Sequence, residues 1–456
     1  MEIHEVVKLQ REYFESCATK DIKFRLRVLK KLKENLIAMD AEICEALKLD
    51  LGKSSSESYM SEIGMVLSEL NHTIKHLKHW AKNKLVRTPL AQILAKSYIT
   101  YEPYGVVLII APWNYPFLLS IDPLIGAICA GNTVVLKPSK EAPNVGLVIK
   151  KLIDKTFSES HAYVIQGSSE ANRVILEEKY DYVFFTGGAK VGKMVAEKCG
   201  ASLTPCSLEL GGKSPCIIDK NVNLKLVCRR LVFGKFLNCG QTCIAPDYCL
   251  VQEDIKKEFL ETLKVTISEM YGEKPLENPN YGKIINKSQF EGLCSYLNNG
   301  KIVCGGGVDA KTLQIEPTVL DKIKLTDPVM SQEIFGPILP VLTYKTQEDI
   351  LKTVRTFEKP LALYVFSNNK KFTNWILTNI SFGGGCINDT IMHIANTNLG
   401  FGGVGGSGMG KYHGKFSFET FSNARSIIRK YNIVDISARY QPYTKGKEKF
   451  VRTFMK

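Results

Sequence analysis

The sequence lacks any continuous run of about 20 apolar residues that would cross a membrane as a helix. Its most apolar region, residues 106–131, is interrupted by prolines and polar residues at Pro112, Asn114, Pro116, Asp122 and Pro123. It also lacks internal repeats and low-complexity linkers. Hydrophobic residues make up 45% and charged residues 23% of the chain, which is typical of a globular protein without a transmembrane span.

Cysteine occurs at 13 positions, but these form no dense disulfide framework. The first residues, Met1 to Val6, show no signal-peptide pattern. Cys239 and Cys243 are four residues apart, yet no second cluster of Cys and His with zinc-like spacing accompanies them. We therefore expect reduced thiols in a cytoplasmic protein and predict no metal site.

The formal net charge is +14, but the Lys and Arg residues are scattered along the chain. Clustered basic and aromatic residues, which nucleic-acid binding requires, are missing. A generally basic surface that attracts anionic cofactors or lipid headgroups is the milder interpretation. The basic tail 446–456 is predicted to be solvated, with weak contact to a membrane surface as the alternative.

The length of 456 residues predicts two or three domains, because one hydrophobic core does not extend over so long a chain. Residues 6–84 carry apolar positions at helical spacing and predict a helical hairpin region without chemistry of its own. Its two predicted apolar stripes are Leu29, Leu32, Leu36 and Ile37, and Met60, Ile63, Val66 and Leu67. Strands then alternate with helices, which favours a doubly wound nucleotide-binding half and a second α/β half. The predicted strands include 97–102, 104–111, 133–137, 162–166, 182–186, 216–219, 248–251, 315–320 and 338–344, with another near Ser426.

Polar residues follow several of these strands. Asn114 lies between Pro112 and Pro116 after a buried strand, where ligands bind in open α/β sheets. Its amide is suited to donate to an oxyanion, whereas a turn-forming asparagine is the simpler interpretation of the residue taken alone. Glu209 ends an apolar strand, a position that raises a carboxyl pKa and suits a general base; an ordinary strand-edge glutamate is the alternative.

Residues 182–192 pass from a strand through a glycine turn into a helix, which directs backbone N–H groups toward a phosphate. The turn does not match the G-x-G-x-x-G fingerprint, because Gly187 and Gly192 enclose four residues of which only Gly188 is glycine.

The segment 236–246 is where we expect the chemistry. Gly240 allows a turn or close approach of the backbone, and Pro246 predicts that any helix ends or kinks nearby. A cysteine presented to a cleft here would be a strong nucleophile as its thiolate, whereas a buried structural thiol is the simpler interpretation.

Taken together, the segments resemble the aldehyde dehydrogenase superfamily over almost the whole chain. Six motifs occur in that family's order: Pro-Trp-Asn-Tyr-Pro at 112–116, Lys-Pro-Ser at 137–139, Phe-Thr-Gly-Gly-Ala-Lys-Val-Gly at 185–192, Glu-Leu-Gly-Gly-Lys-Ser-Pro at 209–215, Gly-Gln-Thr-Cys at 240–243 and Glu-Ile-Phe-Gly-Pro at 333–337. The ending at 401–418 with Arg-Tyr-Gln-Pro-Tyr at 439–443 resembles the class 3, or fatty-aldehyde, branch.

The resemblance implies a Rossmann-type cofactor domain (1–84 and 103–208), an α/β catalytic domain (209–410) and a small β element for bridging and oligomerisation (85–102 and 411–445). It implies oxidation of medium- or long-chain aliphatic, or aromatic, aldehydes to carboxylic acids through a cysteine thiohemiacetal and thioester. Cys243 would be the nucleophile, Asn114 would hold the oxyanion and Glu209 would activate water. A homodimer is expected. A CoA-acylating or semialdehyde-specific dehydrogenase is the alternative, and Glu209 argues against CoA acylation.

The cofactor implied by the resemblance is NAD or NADP. Its expected contacts are Lys137, Ser139, Lys140, Gly187, Val191, Gly192, Glu333 and Phe335. In NAD-preferring relatives the third residue after the motif lysine is commonly glutamate, which repels a 2′-phosphate. Here that residue is Lys140, so we expect NADP to be used.

Overall fold

The computed structural model describes residues 2–92, 94–167, 174–433 and 435–455. The residues outside these ranges fall in the predicted cofactor domain, the predicted bridging element and the C-terminal tail. The α-helices in the described ranges are Ile3–Glu15, Ile22–Ala38, Asp40–Leu51, Ser55–Ser58, Gly64–Trp80, Leu118–Ala130, Pro143–Thr156, Ala189–Ala201, Leu224–Phe236, Lys256–Tyr271, Lys287–Tyr296, Pro328–Ser331, Gln347–Val354, Lys370–Asn379, Gly414–Thr420 and Lys445–Phe454. None of these helices is long and apolar enough to cross a membrane.

The described strands form four sheets. In chain order they are β1 (Lys84–Val86), β2 (Ala95–Pro103), β3 (Val106–Ile110), β4 (Thr133–Lys137), β5 (Ala162–Val164), β6 (Tyr182–Thr186), β7 (Cys206–Glu209), β8 (Pro215–Ile218), β9 (Tyr248–Gln252), β10 (Lys301–Cys304), β11 (Val308–Asp309), β12 (Gln314–Ile315), β13 (Thr318–Asp321), β14 (Ile338–Tyr344), β15 (Ala362–Phe366), β16 (Gly384–Ile387), β17 (Gly408–Met409) and β18 (Ser422–Lys430).

The first sheet has the order β17-β7-β6-β3-β4-β5, in which β3 to β7 run parallel. All residues of β3, β4 and β6 are buried, because helices cover both faces of the sheet. Strand order reverses beside β3, and the carboxyl ends of β3 and β6 therefore border the crevice where such sheets bind ligands. The predicted Rossmann-type half is confirmed.

The second sheet has the order β10-β13-β14-β9-β8-β15-β16, and only β10 is antiparallel to its neighbour. It is the predicted second α/β half. A third sheet, β1-β2-β18, pairs residues 95–103 with 422–430, as the small β element requires.

The segment after residue 400 returns to the first sheet. β17, within the predicted catalytic range 209–410, pairs antiparallel with β7 through Gly408 and Glu209. The helix Gly414–Thr420 packs on Leu118–Ala130, where a Cβ at Gly126 would overlap Ser417. The division into domains stays a prediction at this boundary.

In the structure, the predicted helical hairpin region at residues 6–84 contains five α-helices, the 3₁₀ turn Ala18–Lys20 and one π-helical turn, Tyr59–Ile63. Leu29, Leu32 and Leu36 are buried as expected, but Ile37 is 54% exposed. Ile37 directly follows Leu36, so its side chain points about 100° away from the stripe that faces the core.

Candidate active site

The cysteine loop has an unusual backbone. The helix Leu224–Phe236 ends well before Pro246, and the next turn contains three successive residues with positive φ, namely Asn238 (54°), Cys239 (52°) and Gly240 (72°). A Cβ at Gly240 would overlap the backbone carbonyl of Gly336. The glycine is therefore required for both its φ and its close approach to the Glu333 loop. Residues other than glycine are strained in the left-handed region of φ and ψ, and such residues concentrate at functional sites.

Cys243 and Glu209 lie between two cavities. Both cavities are lined by Leu119, Thr186, Glu209 and Cys243. The sequence predicted Cys243 and Glu209 as reacting groups. The fold brings together Glu209, at the end of β7, and Cys243, in the loop before β9.

The first cavity is apolar. It measures about 910 Å³, including its opening to solvent. Its other walls are Met60, Ser61, Met65, Tyr115, Leu118, Phe233, Leu237, Thr242, Ile244, Ile391, Met392, Ile394, Ala395, Phe401 and Tyr412. No Lys or Arg occurs among these described wall residues, so the cavity suits an uncharged, apolar ligand.

The second cavity has a more polar wall and measures about 720 Å³, again with its opening. It is lined by Pro112, Trp113, Asn114, Gly187, Gly188, Leu210, Gly211, Gln289, Glu333 and Phe335 in addition to the shared residues. Gly188 precedes the helix Ala189–Ala201 and makes no side-chain cap, which leaves the helix N–H groups open to an anion. A Cβ at Gly211 would overlap the Glu333 carboxylate. The polar wall, helix terminus and absence of a Cβ at Gly211 fit a dinucleotide.

Glu209 is a buried carboxyl without a partner. It is 2% exposed, and neither of its side-chain oxygens has a hydrogen-bond partner among the described residues. Burial raises the pKa of Glu209 well above its ordinary value, and Lys411 opposes this shift. A carboxyl with a raised pKa beside a nucleophile is suited to take a proton from water near neutral pH.

The thiol of Cys243 also has a raised pKa. Burial is the main cause, and the negative charges of Glu333 and Glu209 add to it. Asn114 is 3% exposed, and its Nδ2 donates to the Gln241 carbonyl oxygen at 3.0 Å. One N–H of that amide remains for a ligand, because an amide carries two donor hydrogens.

Glu333 and Phe335 line the second cavity on the side of the second sheet. Burial raises the pKa of Glu333 to about 8. Asp247 anchors this loop, because its Oδ1 accepts from the Ile334 N–H at 2.9 Å and its Oδ2 from Lys213 Nζ at 2.5 Å. Phe335 has a φ of 53°, a strained value for a bulky residue, and meets Trp113 edge to face at 5.3 Å.

The remaining predicted cofactor residues lie outside the walls of these two described cavities: Lys137, Ser139, Lys140, Val191 and Gly192. Lys137 is nevertheless adjacent, because its carbonyl accepts from the N–H of Ala111, which precedes Pro112 of the wall. Its Nζ is buried and donates to the Pro138 carbonyl at 2.9 Å. Lys140 is half exposed and pairs with Glu141 at 3.6 Å. Roles for these five residues stay predictions.

Several wall residues were not singled out from the sequence. Trp113, Tyr115 and Thr186 stand inside quoted motifs, so their motif membership was an available signal. Met60 and Met65 come from the helical region 6–84, for which no chemistry was predicted, and they line the apolar cavity. Their helical spacing carries no information about a cavity, since core and cavity positions share it. Among the described residues no three His, Cys, Asp or Glu side chains are grouped to hold a metal ion.

The fold and site agree with comparisons to known proteins. A sequence model of the aldehyde dehydrogenase family matches residues 1–427. The 4,4′-diaponeurosporen-aldehyde dehydrogenase of Staphylococcus aureus is 47% identical over 446 residues, covering 97% of each chain. Aldehyde dehydrogenase family 3 member B3 of Mus musculus is 43% identical and covers 98% of this chain and 94% of its own. The dimeric NADP-preferring aldehyde dehydrogenase of Rattus norvegicus is 42% identical, with 96% and 98% covered.

A solved structure supports the same conclusion. The substrate-bound state of Staphylococcus aureus AldH superposes with a TM-score of 0.98, 46% identity and full coverage of both chains. The chain therefore belongs to the aldehyde dehydrogenase family, in its class 3 branch, and is an NAD(P)-dependent aldehyde dehydrogenase.

Proposed function

We propose that this enzyme oxidises medium- or long-chain aliphatic, or aromatic, aldehydes to carboxylic acids. The observation that carries the proposal is the position of Cys243 and Glu209 between an apolar cavity and a polar one. An aldehyde whose chain occupies the apolar cavity presents its carbonyl to the thiol. The name of the Staphylococcus aureus relative supplies 4,4′-diaponeurosporen-aldehyde as a candidate to include in a test.

In the proposed reaction, the Cys243 thiol first loses its proton to solvent, and the resulting thiolate attacks the aldehyde carbonyl carbon. The oxygen becomes an oxyanion that accepts from the free N–H of Asn114 Nδ2 and from the Cys243 backbone N–H. A nicotinamide held in the second cavity would supply the hydride acceptor for this oxidation. Glu209 then takes a proton from water, which attacks the Cys243 thioester and releases the carboxylic acid.

The dinucleotide would be held by residues of the second cavity and of its border. Glu333 is suited to accept hydrogen bonds from a ribose, and Phe335 packs beside it against Trp113. The turn from Gly187 to Gly192 borders the pyrophosphate in this proposal. Lys137, Ser139 and Lys140 would lie toward the adenine side.

We propose that NADP is used alongside NAD, because Lys140 places a cation where a 2′-phosphate would bind. The proximity of the Lys140 charge contributes, after burial, to a lowered pKa of Lys137. Lys140 also pairs with Glu141, which moderates its effect on an anion. The name of the rat relative gives an NADP preference within the same family.

The assembly and location are proposed on independent grounds. A homodimer is supported by the solvent-exposed strand β18 and by the name of the rat relative. A cytoplasmic location is supported by the 13 cysteines, which all lie in described residues and are free there. The helix Lys445–Phe454 exposes Phe450 and Phe454 among basic residues, which supports weak contact with a membrane surface.

The test is a panel of aldehydes assayed with NAD and NADP. We expect kcat/KM to rise with each added CH₂ by up to about fourfold, because burying a CH₂ is worth about 0.8 kcal/mol. Succinic semialdehyde should be poor, because the described cavity wall offers its carboxylate no cation. The product should be the free acid even when CoA is added. A preference for the semialdehyde, or formation of an acyl-CoA, would establish the alternative reaction instead.

A further inference from the structure

A buried ion pair lies behind the Asn114 loop. Lys53 and Glu62 are both 0% exposed, and Lys53 Nζ is 2.5 Å from Glu62 Oε1. Burying two charges costs more than their attraction returns unless further hydrogen bonds satisfy both groups. The partners that satisfy these two groups therefore show what the pair does in the fold.

The loop 114–118 provides those partners. Lys53 Nζ donates to the carbonyl oxygen of Asn114 at 3.2 Å and lies 4.1 Å from the centre of the Tyr115 ring. Glu62 Oε2 accepts from the backbone N–H groups of Phe117 at 2.9 Å and Leu118 at 3.1 Å. Both ends of the loop that carries the proposed oxyanion donor are thus bound by one ion pair.

The cysteine loop joins the same network through Asn238. Its Nδ2 donates to the Asn114 carbonyl oxygen at 2.7 Å and to the Gln241 carbonyl oxygen at 3.1 Å, and the latter also accepts from Asn114 Nδ2. The backbone N–H of Asn238 donates to Glu57 Oε1 at 2.8 Å. The segment 53–62 therefore contacts both the loop that carries the donor and the loop that carries the nucleophile.

The π-helical turn Tyr59–Ile63 accounts for the placement of Glu62. A π-turn inserts one residue relative to an α-helix and often marks a functional site. Within it, Met60 and Ser61 face the apolar cavity while Glu62 is fully buried against the loop. The same turn thus supplies the substrate wall and the carboxylate that fixes the loop behind it.

We propose that Lys53 and Glu62 are positioning residues that hold the Asn114 amide where it meets the developing oxyanion. Neither residue lines the cavities that contain Cys243, so the pair acts through Asn114 and not on the substrate. This inference rests on the proposed oxyanion role of Asn114, and its test is designed to separate the two.

The test is a double-mutant cycle on kcat. Removing one oxyanion donor typically costs about 10²- to 10³-fold, so Asn114→Ala should lose activity on that order. Lys53→Met should lower kcat about 10- to 100-fold while KM for the cofactor changes little. In the Asn114→Ala background, Lys53→Met should cost less than about threefold, because the residue through which it acts is already gone.

A second variant separates positioning from folding. Lys53→Met alone leaves a buried, unpaired carboxylate, which destabilises strongly. The pair Lys53→Met with Glu62→Gln removes both charges and keeps an oxygen for the Phe117 and Leu118 N–H groups. It should recover thermal stability without recovering kcat, since Asn114 still lacks its Lys53 donor.

The matched control is Gln10→Leu. Gln10 is also 0% exposed, and its Nε2 donates to the Val134 carbonyl at 2.8 Å in the first sheet. It should lower the thermal midpoint and leave kcat unchanged in both backgrounds.

If Lys53→Met lowers kcat by the same factor in the parent and in the Asn114→Ala background, the inference is overturned. The proposed oxyanion role of Asn114 would be unaffected by that result. Recovery of kcat together with stability in the double variant would also overturn it. Full activity of Asn114→Ala would overturn the oxyanion role itself, and the inference with it.

Discussion

Cys243 and Cys239 are four residues apart but have different surroundings. Cys243 borders both cavities, whereas Cys239 is buried beside Tyr281 in a separate hydrophobic cluster. Cys243→Ser should therefore abolish aldehyde oxidation, and Cys239→Ser should retain substantial activity with lower thermal stability. Steady-state rates of both variants measure the loss of activity, and thermal unfolding measures the loss of stability. Equal loss of activity in the two would contradict the assignment of Cys243 as sole nucleophile.

Glu209 should govern the release of product. Glu209→Gln keeps the shape of the side chain but cannot take a proton from water, so one equivalent of NAD(P)H should appear in a burst before turnover stalls. Because the pKa of Glu209 is raised, the parent's deacylation should speed up as pH rises through that pKa, and the variant should lose this dependence. Rapid-mixing absorbance across a pH series measures both. Steady turnover of the variant at the parent rate would show that another group activates water.

The negative charges of Glu209 and Glu333 should also control the pKa of the Cys243 thiol. Glu333 and Glu209 both raise the pKa of Cys243, so neutralising either one lowers it. The pH profile of Cys243 alkylation by iodoacetamide should shift to lower pH in the Glu209→Gln variant.

Lys140 should set the choice between NADP and NAD. A charge-assisted hydrogen bond to a phosphate is worth roughly 1.5–3 kcal/mol, or about ten- to a hundredfold in affinity, and exposure and Glu141 reduce this. Lys140→Glu should lower the NADP-to-NAD ratio of kcat/KM, and Glu141→Gln should raise it. Lys151→Glu is the control, because Lys151 is equally exposed and also pairs with a glutamate, Glu42. An unchanged ratio in Lys140→Glu would mean that Lys140 does not contact the 2′ position.

At the scale of elements, the strands of the first half could be predicted because continuous runs of buried apolar residues mark them. Asn114, just after β3, and Glu209, the last residue of β7, then indicate the site, because the carboxyl edge of a parallel sheet is where ligands bind. Cys243 and Glu333 instead come before β9 and β14. They therefore lie at the amino edge of the second sheet, where the parallel strands begin. The rule that ligands bind at the carboxyl ends of parallel strands therefore does not predict these two residues. The family motifs identified them.

The contribution of the segment 53–62 could not be predicted. Lys53 and Glu62 have the composition of a solvated helix face, and their burial depends on contacts with residues 114–118 that are distant in sequence. The π-helical turn has no local sequence signal comparable to a glycine or proline.

The loop with positive φ values offers a test at this scale. Gly240→Ala should lose most activity, because its Cβ would overlap the Gly336 carbonyl and displace the cysteine and Glu333 loops together. Gly405→Ala is the matched control: Gly405 has a similar φ of 64°, but the nearest atom to a Cβ there, on Lys359, is 3.6 Å away. The control should cost about 1–2 kcal/mol of stability from backbone strain alone and keep its kcat. Similar kinetics for the two variants would show that the close approach to Gly336 is unimportant.

Across the whole molecule, the site combines residues that lie next to strands of two different sheets. Asn114 and Glu209 come from the carboxyl edge of the first sheet, and Cys243 and Glu333 from the amino edge of the second. The third sheet takes no part in these cavities. Its nine-residue strand β18 is an edge strand among the described residues and has seven consecutive exposed residues, which is a hazard for a protein that remains a monomer.

Pairing of this edge between two copies, as proposed above for a homodimer, would cover it, and this supplies the last prediction. Ile427 and Ile428 are 37% and 51% exposed on opposite faces of β18. Replacing both with Glu should convert a dimer to a monomer, because like charges would then meet across the pairing. Light scattering after size exclusion gives the mass, and thermal unfolding shows whether the monomer remains folded. Leu203→Glu is the control, since Leu203 is a 91% exposed apolar residue away from this sheet, and it should stay dimeric. A monomeric parent, or a variant with the parent's mass, would show that β18 does not join two copies.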